Sequence, residues 1–155
     1  IYNHFSNKDE ISLEAFEFSI SRLEATLADV TRSAKTEKAR LVAILDFYRN
    51  YAINPVIKGG CPILNTLVDS YDTNPALISL ARHKTEKLLK GLENIIQRGQ
   101  TEGEFQAQVE PRTVALIIFS GIEGALLLTR ACEDNQAIDA MMTCLDTYLE
   151  NTVYV

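Results

Sequence analysis

The sequence predicts an all-α domain of about six helices joined by short connections. Apolar residues recur with the helical period along most of the 155 residues, and no stretch alternates with the period of a half-buried strand. Asn-Pro and Gly-Gly pairs interrupt this pattern where helices are expected to end and begin. Apolar residues make up 46% of the chain and charged residues 23%, a balance that can bury one substantial core.

The first two helices are predicted over residues 8–32 and 37–53. Asn7 is a favourable N-cap, and Glu10 follows three residues later, where it completes a capping box. The polar stretch between the two helices marks a break. The Asn54-Pro55 pair ends the second helix, because proline disfavours helical geometry in the residue before it.

The next three helices are predicted over residues 62–70, 75–98 and 111–132. A proline stands at the first position of each, where its missing N–H has no helical partner to lose. Gly99 is expected to end the middle one of these three. After a polar connection at 101–109 and the fifth helix, a sixth follows a cap at Asp134 or Asn135.

Charge and cysteine usage exclude several classes of protein. The net charge of −6 argues against a chain that binds nucleic acid through its own overall surface, because such proteins usually carry an excess of basic residues. Three cysteines without a CxxC spacing, and only two histidines, predict reduced thiols in a cytoplasmic protein with no metal and no cofactor. The apolar stretch 114–128 is short and interrupted, so we expect a buried helix and no membrane span.

The opening segment IYNHFSNKDEI, residues 1–11, carries the most specific pattern. An aliphatic-Tyr-x-His-Phe stretch comes directly before a capped helix start with Lys at its first position. This arrangement resembles the tetracycline-repressor-like (TetR/AcrR) family of transcriptional regulators. The matching residues are Tyr2, His4, Phe5, Lys8, Glu10 and Ile11.

The resemblance implies that residues 1–6 end a helix-turn-helix DNA-binding domain and that residues 7–155 form a ligand-binding and dimerisation domain. The earlier helices of the DNA-binding domain precede Ile1, so the base-reading residues lie outside this sequence. Tyr2, His4 and Lys8 carry donors suited to DNA phosphates, contacts that position a protein without reading bases.

A second stretch, GGCPILNT at 59–66, resembles a segment beside the effector pocket in one branch of the family. Helix phase adds further candidates from inward faces, although each of these side chains could equally be ordinary core. The predicted effector-pocket residues are Phe16, Ile20, Tyr48, Cys61, Leu64, Asn65, Phe119 and Glu123.

The segment 113–129 is apolar nearly all round, which predicts a helix covered on more than one side. Its small residues leave one face without bulk, so a partner helix can approach closely. The resemblance implies a homodimer built from the last two helices; a central helix in a monomeric bundle is the alternative. The predicted interface residues are Gly121, Gly124, Ala125, Ile138, Met141, Met142 and Leu145.

Glu123 is the only ionisable residue between Arg112 and Arg130. A buried carboxylate must be paired, hydrogen-bonded or protonated. It is therefore predicted either to anchor a polar group of an effector or to form a structural ion pair, with Arg130 as the candidate partner.

The sequence thus favours a ligand-responsive DNA-binding regulator, a repressor that a small hydrophobic effector releases from operator DNA. A helical small-molecule carrier or interaction module without DNA binding is the alternative. An enzyme is not expected, because no nucleophile–base pair or metal-ligand set stands out.

Overall fold

A computed structural model describes residues 7–155 of the chain. The predicted phosphate contacts of Tyr2 and His4, and the predicted end of a DNA-binding domain at residues 1–6, lie outside the described residues.

Six α-helices make up the described part of the chain, which confirms the predicted all-α class. The last turns of the sixth helix widen into a short π-helix, Leu149–Val153. Within residues 7–155 the only extended pairing is a single bridge between Phe105 and Tyr154. The helices are α1 Lys8–Thr31, α2 Glu37–Ile53, α3 Pro62–Asp69, α4 Pro75–Thr101, α5 Pro111–Cys132 and α6 Gln136–Tyr148.

Most helix starts follow from local sequence. The side chains of Asn7, Thr36, Asn74 and Glu110 accept hydrogen bonds from the first turns of α1, α2, α4 and α5. Both residues that the sequence offered as caps take part in the start of the sixth helix. Asn135 occupies the N-cap position, yet the neighbouring Asp134 side chain accepts the Gln136 N–H at 2.9 Å.

The predicted end of α4 at Gly99 is wrong, since the helix continues to Thr101. Gly99 is buried inside the helix, and a Cβ atom there would overlap the ring of Phe105. The left-handed residue that follows the helix is Gly103, with φ +74°. Gly99 is therefore required for close packing against Phe105, whereas Gly103 adopts the left-handed conformation that reverses the chain after the helix.

Helix α4 is the longest element and contacts α1, α2, α3 and α5 along its length. Two apolar clusters result. The smaller one lies where α3 covers the first halves of α1 and α4, and includes Phe16, Ile20, Cys61 and Leu77. The larger core joins α2 and the second half of α4 to α5, α6 and the last residues.

Candidate functional site

A cavity of about 380 Å³ opens between α1, α2, α4 and α5. This volume lies within the range typical of small-molecule sites. Most of its wall is aliphatic or aromatic, with a few polar and charged groups among them. The lining residues are Glu24, Leu27, Ala28, Thr31, Arg40, Ile44, Tyr48, Lys87, Leu88, Gly91, Leu92, Asn94, Ile95, Arg98, Phe119 and Ile122.

Two of the cations in this wall already have carboxylate partners. Arg98 donates two hydrogen bonds to the buried Glu37, from Nε at 3.0 Å and from Nη2 at 2.9 Å. Lys87 Nζ lies 2.9 Å from Glu24 Oε1. Arg40 differs, because its Nε lies 3.3 Å from Glu37 Oε2 without a hydrogen bond. Both oxygens of Glu37 therefore accept hydrogen bonds from Arg98, and Arg40 keeps only the ion pair.

Six of the eight predicted pocket residues lie in two places, the cavity wall and the smaller core. Tyr48 and Phe119 line the cavity. Phe16, Ile20 and Cys61 belong to the smaller core, and Leu64 packs against it.

Asn65 contributes to the turn before α3 rather than to the cavity wall. Its Nδ2 donates to the Gly59 carbonyl oxygen at 2.7 Å, and its Oδ1 accepts from Arg130 Nη1 at 3.5 Å. Arg130 also donates to the Gly59 carbonyl. Asn65 and Arg130 together fix the conformation of the Gly59-Gly60 turn.

The candidate ion pair between Glu123 and Arg130 is not formed within the chain. Seven residues along a helix correspond to a rise of about 10 Å, and the Arg130 side chain instead reaches the turn before α3. Glu123 is only 9% exposed, and its Oε2 has no hydrogen-bond partner in residues 7–155. Its other contact is a hydrogen bond with the Cys61 thiol.

Burial dominates the proton affinities around Glu123. It raises the pKa of the Glu123 carboxyl, an effect that the hydrogen bond from Cys61 only partly offsets. Burial also raises the pKa of Cys61, of Tyr48 and of Tyr51, the last to about 12. These neighbours therefore stay neutral at physiological pH, and none of them supplies a positive charge to Glu123.

Replacing Glu123 with Gln should stabilise the chain at neutral pH. Because the folded-state pKa is raised, the favourable protonated form is fully present below the ordinary value of 4.5, and its stability is lost as pH rises through the raised value. The gain for Glu123→Gln should be about 1 kcal/mol at neutral pH and should shrink on acidification.

Urea unfolding of the wild type and of Glu123→Gln, from acidic to neutral pH, measures the difference in their free energies of unfolding. Glu17→Gln, at an exposed position of α1, is the matched control and should leave the pH dependence unchanged. An unaltered pH profile in Glu123→Gln would contradict the buried, unpaired state of this carboxyl.

One face of α5 is apolar and exposed in the single chain. Gly121 and Met141 line a shallow groove on this face, between α5 and α6. Gly124 is exposed, and a Cβ atom there would meet nothing within 4 Å. The large side chains on the face are Leu116 at 45%, Ile117 at 38%, Leu127 at 54% and Leu128 at 53% exposure.

Four predicted interface residues point into the protomer's own core: Ala125, Ile138, Met142 and Leu145. They pack where α6 covers α5, so they support the exposed face from behind. The four exposed aliphatic residues of α5 were not predicted from the sequence. A helix that is apolar on all sides gives no signal for which side its own fold leaves open.

Helix α5 is also long enough and apolar enough to cross a membrane by composition alone, with a mean hydropathy of 1.7 over its best window. Of that window, 44% is buried within the fold, and a core helix of a soluble protein passes the same test. Among the described residues, no group of His, Cys, Asp and Glu could hold a metal ion.

The family model of the tetracyclin repressor-like C-terminal domain matches residues 38–145. No curated protein matches the chain.

Solved structures extend the similarity over the whole chain. A TetR transcriptional regulator from Chloroflexus aurantiacus J-10-FL is 33% identical with a TM-score of 0.95, covering 100% of this chain and 78% of its own. A TetR-family regulator from Cytophaga hutchinsonii is 26% identical with a TM-score of 0.91. This match covers 98% of the present chain and 76% of the Cytophaga chain. A TetR-family regulator from Agrobacterium tumefaciens shares the fold, with 19% identity and a TM-score of 0.80. This match covers 93% of the present chain and 75% of the Agrobacterium chain.

TetR-family regulators are non-enzymatic transcription factors, typically dimeric, that bind DNA and small-molecule effectors. The family model covers more than half of the chain, and the Chloroflexus regulator is similar along all of it. Both the predicted resemblance and the predicted absence of an enzyme agree with these matches. The chain belongs to the tetracycline-repressor-like (TetR) family of transcriptional regulators.

Proposed function

We propose that this protein is a dimeric repressor that leaves its operator DNA when a small hydrophobic effector fills the cavity between α1, α2, α4 and α5. The observation that carries this proposal is the cavity itself, an apolar space of about 380 Å³ in the domain that matches the family model. Tyr48 and Phe119 are the proposed effector contacts among the residues that the sequence predicted.

The proposal assigns residues 1–6 to the end of a helix-turn-helix domain and residues 7–155 to effector binding and dimerisation. The opening motif supports this division. Tyr2, His4 and Lys8 are the proposed phosphate contacts, and Lys8 is the exposed first residue of α1. The site of action is operator DNA in the cytoplasm.

A hydrogen bond connects the cavity helices to the start of α1. Asn74, the buried N-cap of α4, donates from Nδ2 to Asp9 Oδ1 in the first turn of α1 at 3.2 Å. The second half of α1 and the second half of α4 both line the cavity. An effector that spreads these two helices would therefore tilt α1 at its first turn. A ligand-responsive regulator needs two such conformations, one that binds DNA and one that binds the effector more tightly.

The dimer is proposed to form through the exposed face of α5 together with the adjoining surface of α6. A closed twofold arrangement covers this face with its own copy. Such a dimer places two copies of α1 in a fixed relation, so a tilt of each would change the spacing of two DNA-binding domains.

The test uses the protein together with the segment encoded upstream of Ile1. Hydrophobic compounds that raise its melting temperature are collected, and each is added to a complex with fluorescently labelled operator DNA. An effector at about a hundred times its dissociation constant should stabilise the protein by ~2.7 kcal/mol. Hits should release DNA, and Phe119→Ala should weaken them through lost contact area. Hits that leave the DNA complex intact would contradict the proposal and favour a carrier.

Lys8→Ala should weaken binding to all DNA sequences by a similar factor. A phosphate contact contributes to affinity through counterion release and carries no base information. The slope of the logarithm of the binding constant against the logarithm of the salt concentration should therefore fall by about one unit. Binding titrations at several salt concentrations, on operator and unrelated DNA, measure this. Lys35→Ala, at an exposed position beyond the other end of α1, is the control. A loss confined to one base pair of the operator would contradict the assignment.

A further inference from the structure

Arg40 is the one cation of the cavity wall whose guanidinium lacks a hydrogen bond within residues 7–155. Its Nε is buried and unpartnered, because Glu37 Oε2 is 3.3 Å away in an unsuitable direction. Both oxygens of Glu37 accept instead from Arg98. The Arg40 side chain also lines the cavity, so its terminal Nη groups are placed to donate to a group inside it.

The charges around the cavity favour an anion. The lining side chains include three cations and a single carboxylate, Glu24. That carboxylate is engaged by Lys87 at 2.9 Å and by Lys84 at 3.7 Å. Behind the wall, Glu37 balances one of the two guanidiniums that reach it. Two carboxylates thus face four cations, and Arg40 is the lining cation whose side chain makes only an ion pair, with Glu37, and no hydrogen bond within residues 7–155.

The apolar groups of the wall are arranged away from Arg40. Ile44 and Tyr48 follow Arg40 at successive turns of α2, over a rise of about 12 Å. On α4, Arg98 lies at the same end as Arg40, since both reach Glu37, and Leu92 and Leu88 lie further along the helix. The cavity therefore has two guanidiniums at one end, apolar groups along its length, and the Glu24–Lys87 ion pair next to Leu88.

We propose that the cavity binds an elongated organic anion, an unbranched or aromatic apolar chain with one carboxylate head, and that Arg40 holds the head. A guanidinium donates to both oxygens of a carboxylate in one plane, which gives a strong and directional contact. At about 30 Å³ for each water-sized group, the cavity holds on the order of a dozen non-hydrogen atoms. This inference rests on the proposed function in taking the cavity as the effector site.

Octanoate, octanamide and octylamine test the proposal, because they share an alkyl chain and differ in the charge of the head. Calorimetric titration of the protein should give octanoate the tightest binding, about tenfold or more tighter than the neutral octanamide. Octylamine should bind weakest. Equal affinity for octanoate and octanamide, or no binding of octanoate, would overturn the anion assignment.

Arg40→Met should remove the preference for octanoate while leaving octanamide binding within a factor of about two, because the apolar wall remains. Arg40→Lys keeps the charge and should retain part of the preference, which separates loss of charge from loss of folding. Lys87→Met is the matched control, since Lys87 lines the same cavity but already binds Glu24. An unchanged preference in Arg40→Met, or its loss in Lys87→Met, would overturn the role of Arg40.

The same ligands, added to the DNA complex, separate this inference from the proposed function. Octanoate that binds through Arg40 but never releases DNA would support the anion site and contradict the effector role. A neutral compound that releases DNA equally well in wild type and Arg40→Met would support the effector role and overturn the anion site.

Discussion

Gly124→Arg is expected to convert the proposed dimer to a folded monomer. Gly124 lies in the middle of the exposed face of α5, and a Cβ atom there meets nothing within 4 Å in the protomer. The fold should tolerate the arginine, whereas a dimer would bury it without a partner. Burying an unpaired charge costs about 3–5 kcal/mol, and twofold symmetry imposes it twice, so the dissociation constant should rise on the order of a thousandfold or more.

Sedimentation velocity measures this change, and far-ultraviolet circular dichroism shows that the helices remain. Ala25→Arg, at an exposed position of α1 outside the α5 and α6 face, is the control and should stay dimeric. Gly121 is less suitable, because a Cβ there would lie 2.9 Å from the Met141 sulfur and disturb the protomer itself. A dimer that survives Gly124→Arg would place the interface elsewhere.

Gly99→Ala should destabilise the domain by about 1–3 kcal/mol through overpacking. The added methyl group would overlap the Phe105 ring, which stacks on Tyr154 with ring centroids 5.3 Å apart. Lys38 Nζ also lies over the Tyr154 ring, 4.1 Å from its centre. The ring of Phe105 therefore cannot move aside without disturbing this stack.

Gly91→Ala is the matched control on the same helix. Gly91 is exposed, and an added Cβ meets nothing within 4 Å. Alanine there should stabilise the domain by about 0.5–1 kcal/mol, through lower backbone entropy in the unfolded chain. Thermal unfolding of the two variants should shift in opposite directions. A melting temperature of Gly99→Ala at or above that of wild type would contradict the packing described.

Local chemistry was enough to predict most helix boundaries, because caps and prolines act within one turn. Asn7 and Pro75 needed no tertiary contact to be recognised. Gly99 was misread for the opposite reason. Its neighbour Phe105 comes from a connection that reads as polar, and the ring stacks on Tyr154, which comes much later in the sequence.

The candidate site was less predictable from sequence. Tyr48 and Phe119 were found because they belong to inward helix faces, but Cys61 and Glu123 are equally inward and pack beside the cavity. A cavity is the space that packed helices leave between them, so helix phase alone does not locate it. Arg40 was missed because an arginine in a first helical turn resembles any solvated charge until the partners of Glu37 are known.

The beginning of α2 depends on residues that are synthesised much later. Glu104 accepts the backbone N–H groups of Glu37 and Lys38 at 3.2 and 2.9 Å, and the N–H of Val155 donates to the Glu104 carbonyl at 3.0 Å. While the ribosome is still translating α5 or α6, this end of the cavity lacks part of its support. We therefore expect the Arg40 end of the cavity to reach its final shape only after the segment around Val155 has been synthesised and packed against Glu104.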